Sequence, residues 1–317
     1  MPKLLPDSIS NSVNELLPFA KIRLVVADLD GTIMGPDECI WGTIQHLERC
    51  INYYDVKLTI ATGRTLTGVH GLLKNLNLPR EIPVILYNGS VALANGSFRT
   101  ILKKNIPIDN FKQVLEIARI ESVRILAYFY EEFFSNNKTS LYNNAYPEFV
   151  MGWADEKLPD YDFNGMHIRW MNNNDFTLDS APSAIIIESL IDMKPIYSIL
   201  EKVNKISDIS ATQSGKMSLE IRPKGSNKGI AMKELSKLLH YKREEILALG
   251  DHDNDAELLS WAGLGVAVEG ASNRALANSN FKSKYNATRG AIQVLRLVRE
   301  ARRYFYNRKT KILKKEL

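Results

Sequence analysis

Cysteine is scarce in this chain, since only Cys39 and Cys50 occur among its 317 residues. Two cysteines at this spacing form neither the closely spaced pair of a zinc site nor the dense pattern of a secreted disulfide scaffold. Their scarcity excludes a fold that depends on a disulfide network. It also predicts a protein of a reducing compartment.

Long apolar runs are missing as well. No uninterrupted apolar stretch of the sequence is long enough to cross a bilayer. Residues 1–20 hold acids, asparagines and internal prolines in place of the apolar centre of a signal peptide. We therefore expect a cytoplasmic protein without a membrane partner.

A strong charge of one sign is also lacking, because the formal net charge is only +5. Many of the cations lie in residues 296–315, and we expect residues 304–317 to form a basic tail that frays after a helix end. No recognised nucleic-acid-binding module accompanies this tail, so no nucleic-acid partner is expected. The chain is long enough to bury two cores. Nothing in the sequence sets the oligomeric state.

Four short polar runs are the most informative feature that is present. They are Asp28-Leu-Asp30-Gly-Thr, Thr62-Gly63-Arg64, Asn227-Lys228-Gly and Gly250-Asp-His-Asp-Asn-Asp255. Each lies where an apolar, strand-like segment ends or a helix-like segment begins.

Five segments are predicted as strands, and they alternate with helical patterns such as residues 227–240. The predicted strands are residues 22–27, 56–61, 83–87, 245–249 and 265–268. This alternation predicts an α/β fold with a parallel sheet. Because ligands bind at the carboxyl edge of the strands in such sheets, one edge could gather all four runs.

The residue types within the runs indicate phosphate chemistry. Asp28 and Asp30 alternate along an extended chain, so their carboxylates are expected on the same side. Two adjacent carboxylates favour a divalent cation, and oxygen ligands beside phosphate favour Mg²⁺. The Thr62 hydroxyl and the backbone amide of Gly63 could bind phosphate oxygens.

Taken singly, each run has a common structural explanation. Asp-x-Asp is often a loop, Gly-Asp is often a turn, and Lys-Gly is often a helix boundary. Together, in one order and each beside a predicted strand end or helix start, they favour a catalytic site.

In order and spacing, the runs resemble those of the haloacid dehalogenase superfamily, in particular the Cof-like phosphatases. The resemblance covers roughly residues 22–297. It implies a Rossmann-like parallel-sheet core, over residues 1–90 and 223–317, with an inserted α/β cap of the C2 type over residues 91–222. Residues 1–20 would be an N-terminal extension of the core.

The resemblance also implies a role for each matching residue. Asp28 would be the nucleophile, Asp30 the general acid and base, Thr62 the phosphate-binding hydroxyl, Lys228 the phosphate-binding lysine and Asp251 a metal-binding acid. All of these residues belong to the four runs. The acid at position 30 favours phosphate transfer over dehalogenation, because dehalogenation has no alkoxide to protonate.

The last run leaves two roles open. Asn254 and Asp255 match family positions that either touch the metal or orient Lys228 and metal-bound water. We therefore place both in the expected Mg²⁺ site with Asp28, Asp30 and Asp251.

Substrate contacts are less well defined by the sequence. Arg64 and Asn88 follow predicted core strands and could face the cleft, whereas Lys216 and Arg222 flank a predicted cap strand. Residues 134–174 could form a substrate-facing loop or a solvated connection.

These features predict a Mg²⁺-dependent phosphatase that hydrolyses a small phosphorylated metabolite, foremost a sugar phosphate, through an aspartyl-phosphate. A phosphomutase would use the same two aspartates and return the phosphoryl group to a substrate hydroxyl. A non-catalytic module that binds a phosphate ligand is the alternative from a different class.

Overall fold

The structure is a computed structural model that describes residues 2–6, 13–35, 41–76, 78–121, 123–130, 148–154, 162–163, 166–171, 180–213 and 217–313. In chain order its helices and strands are β1 (Lys3–Leu4), α1 (Val13–Ala20), β2 (Leu24–Ala27), α2 (Trp41–Tyr53), β3 (Lys57–Ile60), α3 (Leu66–Leu76), β4 (Val84–Leu86), β5 (Val91–Leu93), β6 (Thr100–Lys103), α4 (Ile108–Arg119), β7 (Arg124–Tyr130), β8 (Glu148–Trp153), β9 (Asp162–Phe163), β10 (Met166–Trp170), β11 (Ala184–Glu188), α5 (Lys194–Val203), β12 (Ile209–Gln213), β13 (Ser218–Pro223), α6 (Lys228–Leu238), β14 (Ile246–Gly250), α7 (Ala256–Trp261), β15 (Leu264–Ala267), α8 (Asn273–Ala277), β16 (Phe281–Lys282) and α9 (Ala287–Leu313).

The predicted parallel sheet is confirmed. Six strands lie in the order β1-β16-β15-β14-β2-β3, and all neighbouring pairs are parallel. In the centre of this sheet, Val25 of β2 is in register with Leu58 of β3 and Leu247 of β14. The carboxyl ends of the three strands therefore lie side by side.

Strand β2 shows why these sequences form buried parallel strands. All four of its residues are buried. Val25 and Ala27 join one apolar cluster, whereas Leu24 and Val26 join another. Since side chains alternate along a strand, the two faces of the sheet are both covered, as the continuous apolar run predicts.

The predicted third strand is shorter than expected and belongs to a separate sheet. Strand β4 ends at Leu86, and Tyr87–Gly89 forms a single tight turn. β4 pairs antiparallel with β5, and β5 with β6, while one bridge from Ala61 to Ile85 links this sheet to β3. The boundary placed between residues 90 and 91 from sequence falls inside this hairpin.

A second large sheet carries the material predicted as a cap. Its seven strands lie in the order β12-β13-β11-β7-β8-β10-β9. One face packs against helices α4 and α5 in an apolar cluster that contains Phe111, Ile196 and Ile221. The opposite face contributes Tyr128 and Ala184 to the cluster that also holds core residues such as Leu58. The division into core and cap domains stays a prediction, but the two sheets share this apolar contact.

The basic tail expected over residues 304–317 begins within helix α9 and stays a prediction. Helix α9 continues to Leu313, and its buried residues include Val298 and Ala301. Arg302 donates hydrogen bonds to the carbonyl oxygens of Tyr54 and Ala20, which joins this part of the helix to the core. Arg302, which precedes the expected tail, therefore has a structural role.

In the part of the chain that the structure describes, no helix combines the length and the apolar character needed to cross a membrane. The expected cytoplasmic location and the expected absence of a nucleic-acid partner stay predictions.

Lys216 and most of residues 134–174 lie outside the described residues, so the expectations placed on them also stay open.

Candidate functional site

The four polar runs meet at the carboxyl edge of the central sheet. Asp28 follows β2, Thr62 follows β3, Asp251 follows β14, and Lys228 begins α6 beside them. Asp28, Thr62 and Asp251 border a pocket of about 420 Å³ between this edge and the second sheet, whereas Lys228, expected to bind phosphate, lies behind the lining. The pocket is lined by Asp28, Asp30, Thr62, Gly63, Arg64, Thr65, Tyr87, Tyr128, Ala184, Ile186, Glu220, Asp251, His252 and Asn254.

Lys228 lies at the centre of this edge and is completely buried, with 0% of its side chain exposed. Its Nζ donates to Asp28 Oδ1 and to Asp255 Oδ1, each at 2.6 Å. Asn227 caps the helix, because its side-chain oxygen accepts from the Ile230 amide. The helix start therefore fixes the lysine backbone while two carboxylates fix its ammonium group.

One ammonium group shared by two buried carboxylates shifts the pKa values in this cluster. Burial alone would lower the pKa of Lys228, but the charges of Asp255 and Asp28 outweigh it and raise that pKa. Burial raises the pKa of Asp28 above its ordinary range, although Lys228 acts in the opposite direction. Additional positive charge would therefore favour ionised Asp28.

Asp255 uses its carboxylate to hold other groups. Its Oδ1 accepts from Lys228, and its Oδ2 accepts from the backbone amides of Asp251 and His252, both at 3.0 Å. The backbone of Gly250 lies so close that a Cβ there would be 2.5 Å from the Cβ of Asp255. Asp255 therefore positions Lys228 and the loop that carries Asp251.

A residue of the first polar run, Thr32, holds the Asp251 carboxylate by a hydrogen bond. Its Oδ1 accepts from the Thr32 hydroxyl at 2.8 Å, and burial raises the pKa of this carboxyl. Gly31 turns with φ +84°, and a Cβ at that position would lie 2.2 Å from Asp251 Oδ2. Only glycine fits this close approach, which lets the two runs meet.

The residues present suit a divalent cation. Asp28, Asp251 and Asp255 each offer an oxygen atom, and these atoms lie within 4.8 Å of one another. Three carboxylates face a single ammonium group, and carboxylate oxygens are the ligands that hard cations prefer. Of these, Asp28 Oδ2 and Asp251 Oδ2 accept no hydrogen bond from any described residue, so both are available as ligands.

The Asp30 carboxylate does not join this group. It accepts from Arg64 Nε at 2.8 Å and from Arg64 Nη2 at 2.6 Å, and 55% of its side chain is exposed. The structure thus brings Asp30 and Arg64 together at the mouth of the pocket. Arg64 is engaged by Asp30 and by the Gly68 carbonyl instead of standing free for phosphate.

Thr62 and Gly63 line the pocket, as expected for phosphate binders, whereas Asn88 does not. The Asn88 amide nitrogen donates to both oxygens of Glu220, and its oxygen accepts from the Asn254 amide nitrogen. Both ends of the Asn88 amide are therefore occupied by protein. Asn254 itself lines the pocket.

The second sheet supplies the far wall of the pocket. Tyr128, Ala184 and Ile186 give it a largely apolar surface, and Glu220 adds a carboxylate. Ile186 and Glu220 are partners across β11 and β13, so they lie side by side. Arg222, expected as a substrate contact, is buried near Glu220 and is not part of the pocket lining.

Glu148 is a further buried carboxylate that links the two sheets. It begins β8, yet it accepts hydrogen bonds from the amides of Leu66 and Thr67, the Thr67 hydroxyl and the Tyr87 hydroxyl. These amides belong to the first turn of α3, whose N-terminus favours an anion. Burial raises the pKa of Glu148, and its hydrogen bonds oppose that shift.

Glu148→Gln is expected to destabilise the protein by about 2 to 3 kcal/mol. A glutamine oxygen can keep one pair of donors, but its NH₂ group must face the other pair, and each pair contains a backbone amide, of Leu66 or of Thr67, that cannot become an acceptor. Urea denaturation at neutral pH measures the change in the free energy of unfolding. Glu116→Gln, on the exposed side of α4, is the matched control and should change that free energy by less than about 0.5 kcal/mol. Equal effects of the two substitutions would contradict the role of Glu148.

The residues that sequence reasoning missed come mostly from the second sheet. Glu148, Glu220 and Tyr128 carry no phosphate-binding motif. The one usable signal was the acid at position 220 between the apolar residues Leu219 and Ile221, because a buried carboxylate requires a partner. Thr32 lies inside the first run, but no role was given to it.

A family of haloacid dehalogenase-like hydrolases matches residues 25–295 of this chain. Among curated relatives, a 5-amino-6-(5-phospho-D-ribitylamino)uracil phosphatase of Bacillus subtilis, YcsE, is 22% identical over 275 residues, which cover 87% of this chain and 95% of the relative. A second B. subtilis phosphatase of that name, YitU, is 26% identical over 259 residues, or 78% of this chain and 87% of the relative.

A solved structure supports the same fold. The crystal structure of a haloacid dehalogenase-like hydrolase from Bacteroides thetaiotaomicron superposes with a TM-score of 0.68 at 21% identity, over 87% of this chain and 98% of that one. At this identity the similarity shows the fold alone, which is the Rossmann-like parallel sheet predicted from the sequence.

Proposed function

This chain belongs to the haloacid dehalogenase-like hydrolase family, and on that premise we propose that it is a Mg²⁺-dependent phosphatase of small phosphomonoesters. The observation that carries the proposal is the buried trio of Lys228, Asp28 and Asp255 beside a pocket. A buried ammonium group that holds a pocket-lining carboxylate suits a nucleophile that receives a phosphoryl group.

In the first step, an oxygen of Asp28 attacks phosphorus. The bond between phosphorus and the leaving-group oxygen breaks, and Asp30 donates the proton that this oxygen needs. The products are an aspartyl-phosphate on Asp28 and a free alcohol. Two hydrogen bonds from Arg64 fix the orientation of the Asp30 carboxylate at the pocket mouth, and Asp30 must carry a proton in place of part of this pairing when it acts as the acid.

In the second step, Asp30, now ionised, takes a proton from water. That water attacks phosphorus, the bond to Asp28 breaks, and inorganic phosphate leaves with Asp28 and Asp30 restored. Lys228 would offset negative charge beside Asp28 in both steps. Thr62 and Gly63, on the pocket lining, are the proposed phosphate binders.

Mg²⁺ would be held by Asp28 and Asp251, because each has one oxygen that accepts no hydrogen bond from a described residue. When bound, the ion supplies positive charge to the phosphate and to the carboxylates. We assign Asp255 to positioning, since Lys228 and two backbone amides already occupy its oxygens. Asn254 lines the pocket and contacts Asn88, so its orientation depends on that side chain.

As the substrate, we propose first a sugar phosphate, so that the leaving group is a sugar. A pocket of about 420 Å³ accommodates a small metabolite. Its far wall combines the Tyr128 ring and Ile186 with the Glu220 carboxylate, a surface that suits a group with both an apolar face and hydroxyl or amine donors. The substrate in the names of the B. subtilis relatives also meets this description, so it belongs among the compounds to be tested.

The proposal predicts phosphate release that depends on Mg²⁺. Release should be measured from sugar, polyol, nucleotide and cofactor phosphates and from 5-amino-6-(5-phospho-D-ribitylamino)uracil, with Mg²⁺ and with a chelator. We expect release from a narrow group of these compounds, and loss of most activity in chelator that returns when Mg²⁺ is added in excess. Undiminished release in chelator would contradict the metal assignment.

The same assay separates the alternatives. Isomerised product with little free phosphate, and a need for a bisphosphate activator, would indicate a phosphomutase. Saturable binding of a phosphorylated compound without turnover in Mg²⁺ would indicate a binding module.

A further inference from the structure

Three side chains connect the second sheet to the loop after β14. Glu220 of β13 accepts from the Asn88 amide nitrogen at 2.8 and 2.9 Å, and Asn88 Oδ1 accepts from Asn254 Nδ2 at 2.9 Å. Glu220 and Asn88 are buried. We call Glu220, Asn88 and Asn254 the amide relay.

The chemistry of Glu220 sets the direction of the whole relay. An ionised carboxylate only accepts hydrogen bonds, so the NH₂ group of Asn88 must face it. The oxygen of Asn88 then faces Asn254, which donates a hydrogen bond to it from its own NH₂ group. As a result, the oxygen of Asn254 points away from Asn88, and it is buried without a hydrogen-bond partner among the residues that the structure describes.

Neighbouring groups support a charged Glu220. Leu219 and Ile221 pack into the apolar cluster on the helix side of the sheet, so Glu220 and Arg222 share the opposite face. The Arg222 guanidinium lies 3.7 Å from the Glu220 carboxylate, and both side chains are buried. Because a guanidinium group has only donors, Arg222 at this distance favours an acceptor at position 220.

The unpaired oxygen of Asn254 lies in a side chain that lines the pocket. A buried acceptor without a partner is costly, and the cost is recovered when a donor binds. Asn254 is also adjacent in sequence to Asp255, which holds Lys228 and the Asp251 backbone.

We infer that Glu220 is a positioning residue for the proposed phosphatase site. Through Asn88, it orients the Asn254 amide so that an acceptor oxygen, and not an NH₂ group, meets a hydroxyl group or water in the loaded pocket. Because Glu220 belongs to the second sheet, the orientation of the Asn254 amide is fixed only while that sheet packs against the central sheet. This inference rests on the proposed function for its catalytic consequence and on the relay geometry alone for its structural one.

The first test is a double-mutant cycle between Glu220 and Asn254. Glu220→Gln leaves the direction of the relay undefined, because glutamine offers both a donor and an acceptor. We expect kcat to fall about tenfold in the wild-type background and less than about twofold when Asn254→Ala is already present. Equal losses in both backgrounds would show that Glu220 acts by another route and would overturn the inference.

The second test moves the carboxylate along the relay. Asn88→Asp alone places a second carboxylate beside that of Glu220, and the two repel each other. We therefore expect at least a tenfold loss of kcat. In the combined variant Glu220→Gln and Asn88→Asp, the glutamine amide can donate to the new carboxylate, which still accepts from Asn254. The Asn254 orientation is then restored, so kcat should recover to within about threefold of the wild type. If the fold-loss of kcat in the combined variant equals the product of the fold-losses in the two single variants, the relay is contradicted.

Thermal unfolding of the same variants, without Mg²⁺ or substrate, gives a readout that does not depend on activity. The inference predicts that Tm falls in each single variant and recovers in the combined one. If the wild type releases no phosphate, the proposed function fails, while the Tm values still decide the relay. Additive changes in Tm would overturn the relay even if the enzyme is active.

Discussion

Asp28→Asn is expected to reduce phosphate release by at least about a thousandfold while the fold persists. A carboxamide has the shape of the carboxylate but is a poor nucleophile, so the first chemical step is lost. Its oxygen can still accept from Lys228, which lies 2.6 Å from Asp28 Oδ1 in the wild type. Steady-state phosphate release, together with circular dichroism and Tm, measures both parts of this expectation.

A matched substitution separates chemistry from charge. Asp109→Asn removes an acid from the exposed first turn of α4 and should leave turnover within about twofold of the wild type. Near-normal turnover of Asp28→Asn would remove Asp28 from its proposed role. Loss of the folded signal in that variant would show instead that the carboxylate is needed for the fold.

Lys228→Met is expected to abolish turnover and also to destabilise the protein. The substitution keeps much of the side-chain length but leaves Asp28 and Asp255 as buried carboxylates without their shared partner. Removing one member of a buried charge pair costs about 3 to 5 kcal/mol. Urea denaturation measures the stability, and phosphate release measures the activity.

Mg²⁺ should affect this variant more than the wild type. A divalent cation can replace part of the missing positive charge, so added Mg²⁺ should raise the Tm of Lys228→Met by more than it raises the wild-type Tm. Lys233→Met, on an exposed position of the same helix, is the control and should be close to the wild type in both assays. A stable Lys228→Met variant with normal turnover would show that the buried trio is not the catalytic centre.

The position of the site could be predicted because it depends on local signals. Apolar runs such as residues 22–27 end at polar residues, and a parallel sheet brings those ends to one edge. The placement of Lys228 beside Asp28 follows from the same geometry, since its helix begins at that edge, whereas its complete burial was not predicted. These inferences needed only the order of strands, turns and helix starts.

The contacts between the two sheets could not be predicted in the same way. Glu148 meets the N-terminus of α3, 82 positions away from Leu66, and Glu220 meets Asn88 across 132 positions. The acid at position 220 indicates that a partner is needed, but no pattern in either segment indicates which residue that partner is, because the contact depends on how the second sheet packs on the core. Likewise, the pairing of Asp30 with Arg64 is a matter of side-chain orientation that strand ends alone do not determine.

The hairpin at residues 84–103 had a signal that was not used. Asn88-Gly89 and Asn95-Gly96 are dipeptides that favour tight turns between short strands, and they flank Val91–Leu93. Asn88 adopts φ 51° and ψ 30°, a conformation that asparagine tolerates better than most residues. These two turns explain why the chain folds back on either side of Val91–Leu93.

The most direct test of the central claim is to identify the residue that carries the phosphoryl group during turnover. Enzyme mixed with Mg²⁺ and its best substrate is quenched in acid, treated with borohydride to reduce an acyl phosphate to an alcohol, and digested for peptide mass spectrometry. The proposed mechanism predicts homoserine at position 28, present only when substrate is added and absent from Asp28→Asn. Turnover in the same mixture with Asp28 unmodified, or with another carboxylate reduced in its place, would contradict it.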